Sequence, residues 1–495
     1  MHIRYLVADD GILPNEVLKD FMRLFPDTPF FPRVRSLTTL MDSSASCLPY
    51  FIRSSTPADT QPSASASALR RLFIYRSSCF SPPEEEGESL ARDLAAFQRS
   101  NGKLRGGLEA FQDFLPFPAR GRRQFSPAGC KFQESIENAF ALALTLPETM
   151  GPSAHGLHRL EVTHYLHELP AFFGRVTKMR ALEHLKIAIA HEDDVWEPEE
   201  EESDSSETQV IRKPPPRTQR PSYEGIQHSA SSLEIEAIWD ELSPTIHLCA
   251  PPSVATQLRT LRLLYYLEDL PPTHAASVQV LDLPADIIPP VHLEALTINL
   301  LDNGEDIPNC VDEVIGSALQ VDAFRPLLRY RQMVNLHLEL PCNVLLDIEF
   351  LHALGAAMGE TLRHFVILRR LTQESTDEFK PALTAADLPT IVGATMPRLE
   401  TLGLDVGYNE ISVSAKWESS VPSSLLQTLY VGMVCLSEAQ VSPVARFLKE
   451  HFPGLEYLYH HEGNEDESPW QHIVNSNGYS DGNPTRRDGL PWGYY

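Results

Sequence analysis

The sequence has no CxxC pair, and its seven cysteines, at 47, 79, 130, 249, 310, 342 and 435, are odd in number. That argues against a disulfide framework and a cysteine zinc site, and for a reducing compartment. No Asn-x-Ser/Thr acceptor free of proline occurs, which agrees with an intracellular protein. No stretch approaches the ~18 consecutive apolar residues of a membrane helix. The N-terminus lacks a basic start followed by an unbroken apolar run, so no signal peptide is read there. Glycine is scarce and proline abundant, 25 against 40. Proline interrupts regular elements, so many short elements separated by turns are expected. Positive charge is also short: 41 basic against 67 acidic side chains give a net charge of −26. Such a chain repels a phosphate backbone, which excludes broad nucleic-acid binding. The local basic spot Arg120-Gly121-Arg122-Arg123 reads as a solvated loop.

Catalytic signatures are missing as well. The sequence holds no G-x-S-x-G, no GxxxxGK and no GxGxxG. Asp302-Asn303-Gly304-Glu305-Asp306 is acidic without the spacing of a calcium loop. The densest histidine cluster is His155, His158, His164 and His167. The run Leu157–Val162 between its pairs reads as a strand, so these are taken as surface histidines and not as metal ligands. His460-His461-Glu462 reads as the edge of a cap. The expectation is a non-enzymatic chain with no cofactor and no metal.

What is present is one recurring phrase: apolar, two others, apolar, one other, apolar. It occurs at Leu69–Ile74, Leu157–Val162, Leu182–Ile187, Leu258–Leu263, Val278–Leu283, Leu293–Ile298, Met333–Leu338, Leu362–Ile367, Leu399–Leu404 and Leu426–Val431, with a degraded copy at Leu455–His460. The second position is repeatedly charged or His, as in LEHL, LRTL, LEAL, LRHF and LETL. Several copies follow a proline or a helix end, as in MPRLETLGL and FPGLEYLYH. Between copies, Leu13–Phe25, Ser89–Gln98, Gln133–Leu144, Leu233–Leu242, Leu346–Met358 and Glu438–His451 show apolar residues at helical spacing. Short strands that turn their apolar residues inward, joined by helices or irregular segments, are the pattern of a leucine-rich repeat. No single repeat buries its apolar side alone, so neighbours must stack into one core.

The fold class expected is therefore α/β, an irregular leucine-rich-repeat solenoid with parallel strands on the concave face and helices and loops on the convex face. Residues 1–190 hold N-terminal repeats with flexible loops near 54–68 and 76–89. Residues 191–231, which include HEDDVWEPEEEESDSSE and RKPPPRTQRPSYEG, read as a disordered acidic and proline-rich insertion. C-terminal repeats follow over 232–462, and 463–495 form a tail. The Asn or Cys that normally follows a repeat strand is replaced by Ala190, Tyr266, Pro341, Arg370 or Gly407, which rules out a regular array.

With these phrases and departures, the chain resembles the irregular leucine-rich-repeat region of fungal F-box proteins. The resemblance implies a non-enzymatic, monomeric protein-interaction chain in the cytoplasm or nucleus. It implies protein partners on the concave face, a ubiquitin-ligase adaptor among the candidates, and a substrate-recognition role in ubiquitin ligation. A free-standing repeat scaffold is the alternative. Neither nucleic acid nor membrane is an expected partner. Leu13-Pro14-Asn15-Glu16-Val17-Leu18 is similar to the start of an F-box, but Pro26, Pro29 and Pro32 follow at once, and Ile3–Leu6 and Val34–Leu37 read as strands on either side. The stretch is expected to be a convex-side helix between two early repeats; an F-box proper has been lost, lies upstream, or was never there. Alternation along the strands places Arg71, Phe73, Tyr75, Arg262, His337, Glu339, Asp405, Tyr430, Tyr457 and Tyr459 at exposed positions of the concave face, with the tyrosines as candidate partner anchors.

Overall fold

The computed structural model describes residues 5–8, 36–41, 71–76, 110–114, 158–166, 169–176, 181–190, 230–250, 252–266, 281, 288, 292–300, 319–340, 343–369, 381–408, 425–431, 436–460 and 469–481, the first four segments as backbone only. The chain divides into two compact units, one of residues 1–236 with 247–257, the other of residues 237–246 with 258–495. Both are mixed α/β and built on parallel sheet.

In unit one the strands are β1 (Tyr5–Ala8), β2 (Ser36–Met41), β3 (Arg71–Arg76), β4 (Ala110–Phe114), β5 (Arg159–Tyr165), β6 (His184–Ala190) and β7 (Ser232–Ile238), the last belonging here as far as Glu236. They pair side by side in chain order, all parallel. Parallel neighbours cannot be joined by a hairpin, so each connection must cross back over one face of the sheet. Helix α1 (Leu169–Val176) lies in one such connection and buries Leu169, Phe172, Phe173 and Val176. In register across β5, β6 and β7 stand Leu160, Leu185 and Leu233, then Val162, Ile187 and Ile235, all buried.

In unit two the strands are β8 (Thr260–Tyr266), β9 (Ala295–Leu300), β10 (Leu319–Gln320), β11 (Asn335–Leu340), β12 (Val344–Leu345), β13 (His364–Arg369), β14 (Thr401–Leu404), β15 (Thr428–Tyr430), β16 (Tyr457–Tyr459) and β17 (Ser480–Asp481). Strands β10 and β12 pair with each other, and the rest form one parallel sheet in chain order. Leu261, Leu296, Leu336, Phe365, Leu402, Leu429 and Leu458 align across seven strands, from β8 to β16, as a single buried row. A second buried row holds Leu263, Ile298, Leu338, Ile367 and Leu404.

The connections stack as closely as the strands. Helix α2 (Trp239–Cys249) opens with Trp239, edge-on to Tyr265 at 4.4 Å. Helix α3 (Ile348–Met358) starts at Asp347, whose carboxylate accepts the Phe350 N–H at 2.7 Å, and buries Phe350, Leu351, Leu354 and Met358. Its C-terminal part runs against Thr395 of the next connection; a Cβ at Gly355 would lie 2.6 Å from the Thr395 carbonyl oxygen. Helix α4 (Glu438–His451) has a Ser437/Gln440 capping box and buries Val444, Phe447 and Leu448. Helix α5 (Pro469–Asn477) buries Trp470, Ile473 and Val474.

The charged second position of the phrase marks the residue just before each strand. There the backbone forms a rim ladder: Glu294 N–H donates to Arg259 O, Val334 to Glu294, Arg363 to Val334, Glu400 to Arg363, Gln427 to Glu400 and Glu456 to Gln427, at 2.7–2.9 Å. Ser480 N–H closes the series on Glu456 O at 2.9 Å. Side chains pair along the same rungs, Arg259 with Glu294 and Arg363 with Glu400, each at 3.2 Å. These exposed pairs are worth little singly. The backbone ladder is what requires adjacent phrases to be in register.

Some expectations change. The helical spacing of Leu233–Leu242 resolves into β7 followed by α2, because Leu233 and Ile235 alternate into the core as strand residues. Residues 469–481, expected within a tail, form α5 and β17, and β17 pairs with β16. Of Val278–Leu283 only Leu281 is described, and it is not in a strand. The expected helices Leu13–Phe25, Ser89–Gln98 and Gln133–Leu144, the loops near 54–68 and 76–89 apart from Arg76, and the insertion up to residue 229 lie outside the described residues. Among the described residues no helix is long and apolar enough to cross a membrane.

Candidate functional site

Opposite the leucine rows, alternation presents every second strand residue on the other face of the sheet. In unit two these residues form rows of their own. One runs Arg262, Thr297, His337, Val366, Gly403, Tyr430, Tyr459. Two residues earlier along each strand runs Thr260, Ala295, Asn335, His364, Thr401, Thr428, Tyr457, Ser480. Two residues later, Leu264 pairs with Asn299 and Glu339 with Leu368.

The structure brings His337, Glu339, Tyr430, Tyr457 and Tyr459 into one block. Tyr430 and Tyr459 stack at 4.6 Å with rings 17° apart, and Tyr457 lies parallel to Tyr459 at 6.4 Å. The edge of Tyr430 meets His337 at 6.4 Å, and His337 Nε2 lies 3.1 Å from Glu339 Oε1. Val366 and Leu368 complete the apolar part. On neighbouring strands ~4.8 Å apart, β15 would stand ~14 Å from β11. The short distance between the Tyr430 and His337 rings therefore means that the two side chains lean toward each other over β13 and β14. Gly403 makes that lean possible: a Cβ there would fall 2.8 Å from Val366 Cγ1 and 3.1 Å from Tyr430 Cβ. Gly403→Val is expected to destabilise unit two by ~1–3 kcal/mol through overpacking. Urea unfolding measures the loss, and near-ultraviolet circular dichroism reports the displaced tyrosines.

This packing corrects the expected exposure of three residues. His337, Tyr430 and Tyr459 are 4%, 6% and 9% exposed, because each is covered by its lateral neighbours. Glu339 and Tyr457 are half-buried. Burial, then Tyr459 and Glu339, push the Tyr430 hydroxyl above its usual range, so it is a neutral phenol. His364 is lowered to about 4 by burial, with Arg363 and His337 adding to the effect, and its Nδ1 lies 3.0 Å from Thr401 Oγ1. It is uncharged at neutral pH.

The other expected residues lie apart from the block. Arg262 is half-buried in the same row on β8. Asp405 follows β14 and accepts the Arg369 N–H at 3.2 Å. Arg71 and Tyr75 belong to unit one, on β3, where Arg71 stands between Ser36 and Ala110 and Tyr75 between Leu40 and Phe114. Their side chains, like that of Phe73, lie outside the described residues.

Unit one carries a charged row that residue type alone does not single out. Glu161, Lys186 and Glu234 are in register on β5, β6 and β7, with Ala188 and Glu236 two residues on. Lys186 Nζ lies 2.7 Å from Glu234 Oε1 and 3.2 Å from Glu236 Oε2, and Arg159 Nε donates to Glu161 Oε1 at 2.6 Å. Burial works to lower the Lys186 ammonium, but Glu236, Glu234 and Glu161 outweigh it and hold it above its usual range. Burial raises Glu161, and Arg159 and Lys186 offset part of that. Two phrases carry part of the signal, with E and K between their second and third apolar positions in LEV and LKI; the matching LEI of β7 lies outside the phrases.

The histidine cluster is not a surface group throughout. His164 is buried against Phe172 at 4.6 Å, and His158 Nδ1 lies 3.2 Å from Glu183 Oε1; His155 and His167 are outside the described residues. Among the described residues no group of three or more His, Cys, Asp and Glu is placed to hold a metal ion. In comparison with known proteins, no family model and no curated sequence matches the chain.

Proposed function

We propose that this chain is a non-enzymatic protein-interaction protein, an irregular leucine-rich-repeat solenoid resembling the substrate-recognition part of an F-box ubiquitin-ligase receptor. One observation carries the interaction reading: in unit two the strands follow chain order in register, so side chains from distant phrases align into rows on one sheet face, with an aromatic block at one end. Aligned rows on a rigid sheet give a partner a preorganised surface, which lowers the ordering cost of binding. The repeat reading draws on the phrases themselves, whose second and third apolar positions fill the two buried rows. On this reading the protein is a monomer of the cytoplasm or nucleus, and its partners are proteins, a small ligase adaptor among them.

A specific observation favours the second reading, a repeat scaffold with no link to a ligase. Strands β1 and β2 pair directly, so Leu13–Leu18 fall in the connection between two adjacent strands. That is the place of an ordinary crossover, and an F-box is a separate module.

The test is affinity purification of the full chain at native expression level, alongside Thr428→Arg, which puts a long cation at a half-buried position of this face, in register with Tyr457. The ligase reading expects the F-box-binding adaptor with both proteins and a further partner with the unchanged chain only. A face-dependent partner without the adaptor selects the scaffold. If nothing captured depends on residue 428, the interaction surface is misassigned.

A further inference from the structure

The rim ladder of unit two pairs its charges in twos, and one charge is left over. Arg259 pairs with Glu294 and Arg363 with Glu400. Glu456 occupies the same rung position, is exposed, and has no ion-pair partner among the described residues; Gln427 stands on one side of it and Ser480, the first residue of β17, on the other. The next residue is Tyr457, half-buried and parallel to Tyr459 in the aromatic block. An unpaired carboxylate and an aromatic ring are thus adjacent at the end of the docking face, in a chain of net charge −26.

We propose that Glu456 and Tyr457 receive an arginine side chain from a protein partner. The carboxylate matches the guanidinium fork, and the tyrosine ring offers its face to the planar cation. Arginine is the expected cation because the other ion pairs between neighbouring rungs of this rim match a glutamate with an arginine. The partner supplies the cation that Glu456 does not find among the described residues. The parallel Tyr459 ring, itself stacked on Tyr430, holds the Tyr457 ring in place, so little side-chain entropy is lost on binding.

The proposal rests on the reading of this face as a docking surface, and the two fail separately. A partner lost with Thr428→Arg but kept by Glu456→Gln overturns the arginine proposal and leaves the docking surface standing. Arginine recognition with no face-dependent partner does the reverse. The direct experiment titrates the full chain against a fluorescein-labelled peptide of alternating glycine and arginine, with a glycine–glutamine peptide as neutral control, and reads anisotropy. Glu456→Gln and Tyr457→Ala are each expected to weaken arginine-peptide binding about fivefold, the loss of one exposed ion pair or one cation–π contact. Tyr457→Phe keeps the affinity, since the ring is used and the hydroxyl is not. Glu360→Gln, an exposed acid elsewhere in unit two, leaves it unchanged. No binding, equal binding of the glutamine peptide, unchanged affinity in Glu456→Gln and Tyr457→Ala, or an equal loss in Glu360→Gln overturns the proposal. Circular dichroism of each variant shows that a lost affinity is not a lost fold.

Discussion

Lys186→Met is expected to cost unit one roughly 3–5 kcal/mol of stability at neutral pH, the penalty for stranding buried charge. The methionine keeps most of the volume and removes the cation. Glu161 and Glu236 are 4% and 3% exposed, and Glu234 is half-buried, so water cannot take over the role of the ammonium. The pH dependence identifies the cause. Glu161 is held above its unfolded value of 4.5, so its contribution is complete below that value and is lost as pH rises through the folded one. Lys186 is held above 10.5, so its contribution is present throughout the neutral range and is lost only as pH rises through the folded value. Without Lys186, one of the groups that offset the burial of Glu161 is gone, so Glu161 rises further and takes up its proton more readily. The variant therefore regains stability as pH falls from neutral toward the unfolded value of 4.5, and the parent changes less over that window. Urea unfolding at several pH values tests this. A variant as stable as the parent, or a loss that does not shrink on acidification, would falsify the ionic account of the row.

Leu402→Ala is expected to cost ~2–5 kcal/mol in unit two. Leu402 is fully buried, in register with Phe365 on one side and Leu429 on the other. Truncation opens a cavity in the middle of a continuous row, and the two flanking strands cannot close on it without breaking their own rungs. Leu402→Met, which nearly conserves volume, costs less than ~1.5 kcal/mol. Glu400→Gln, two residues away on the rim, changes stability by less than ~0.5 kcal/mol, since exposed pairs contribute little. Thermal unfolding of the three proteins orders them. A rim change as costly as the core truncation would mean that the ladder side chains, and not the leucine row, hold the sheet.

The strands were legible where leucines alternate, because a period of two with large aliphatic residues has one physical meaning on a half-buried sheet. Strand β7 was not, since Leu233, Ile235 and Leu242 satisfy a helical spacing when the strand and the helix after it are taken as one segment. Strand β17 carries no phrase: Ser480 and Asp481 are held by backbone pairing to β16, which residue type does not reveal. For the site, the tyrosines announce themselves by type, but their burial does not. The lean of Tyr430 depends on which residue of the neighbouring phrase stands beside it, and only the register between phrases identifies that residue as Gly403. The Glu161–Lys186–Glu234 row is hidden for the same reason, since its members are ordinary surface types until the phrases are placed side by side.

The rim has a consequence for how such an array can change length. Its charges come as closed dyads, Arg259 with Glu294 and Arg363 with Glu400, separated by the neutral rungs Val334 and Gln427. Those two rungs are seams. A duplication or deletion with its ends at Val334 and Gln427 moves a whole dyad and leaves no charge without its mate. A cut through a dyad exposes a lone arginine or glutamate on a new terminal rung. The last charged rung described, Glu456, follows the Gln427 seam with a glutamate where each dyad opens with an arginine, so it is not the remainder of a cut dyad.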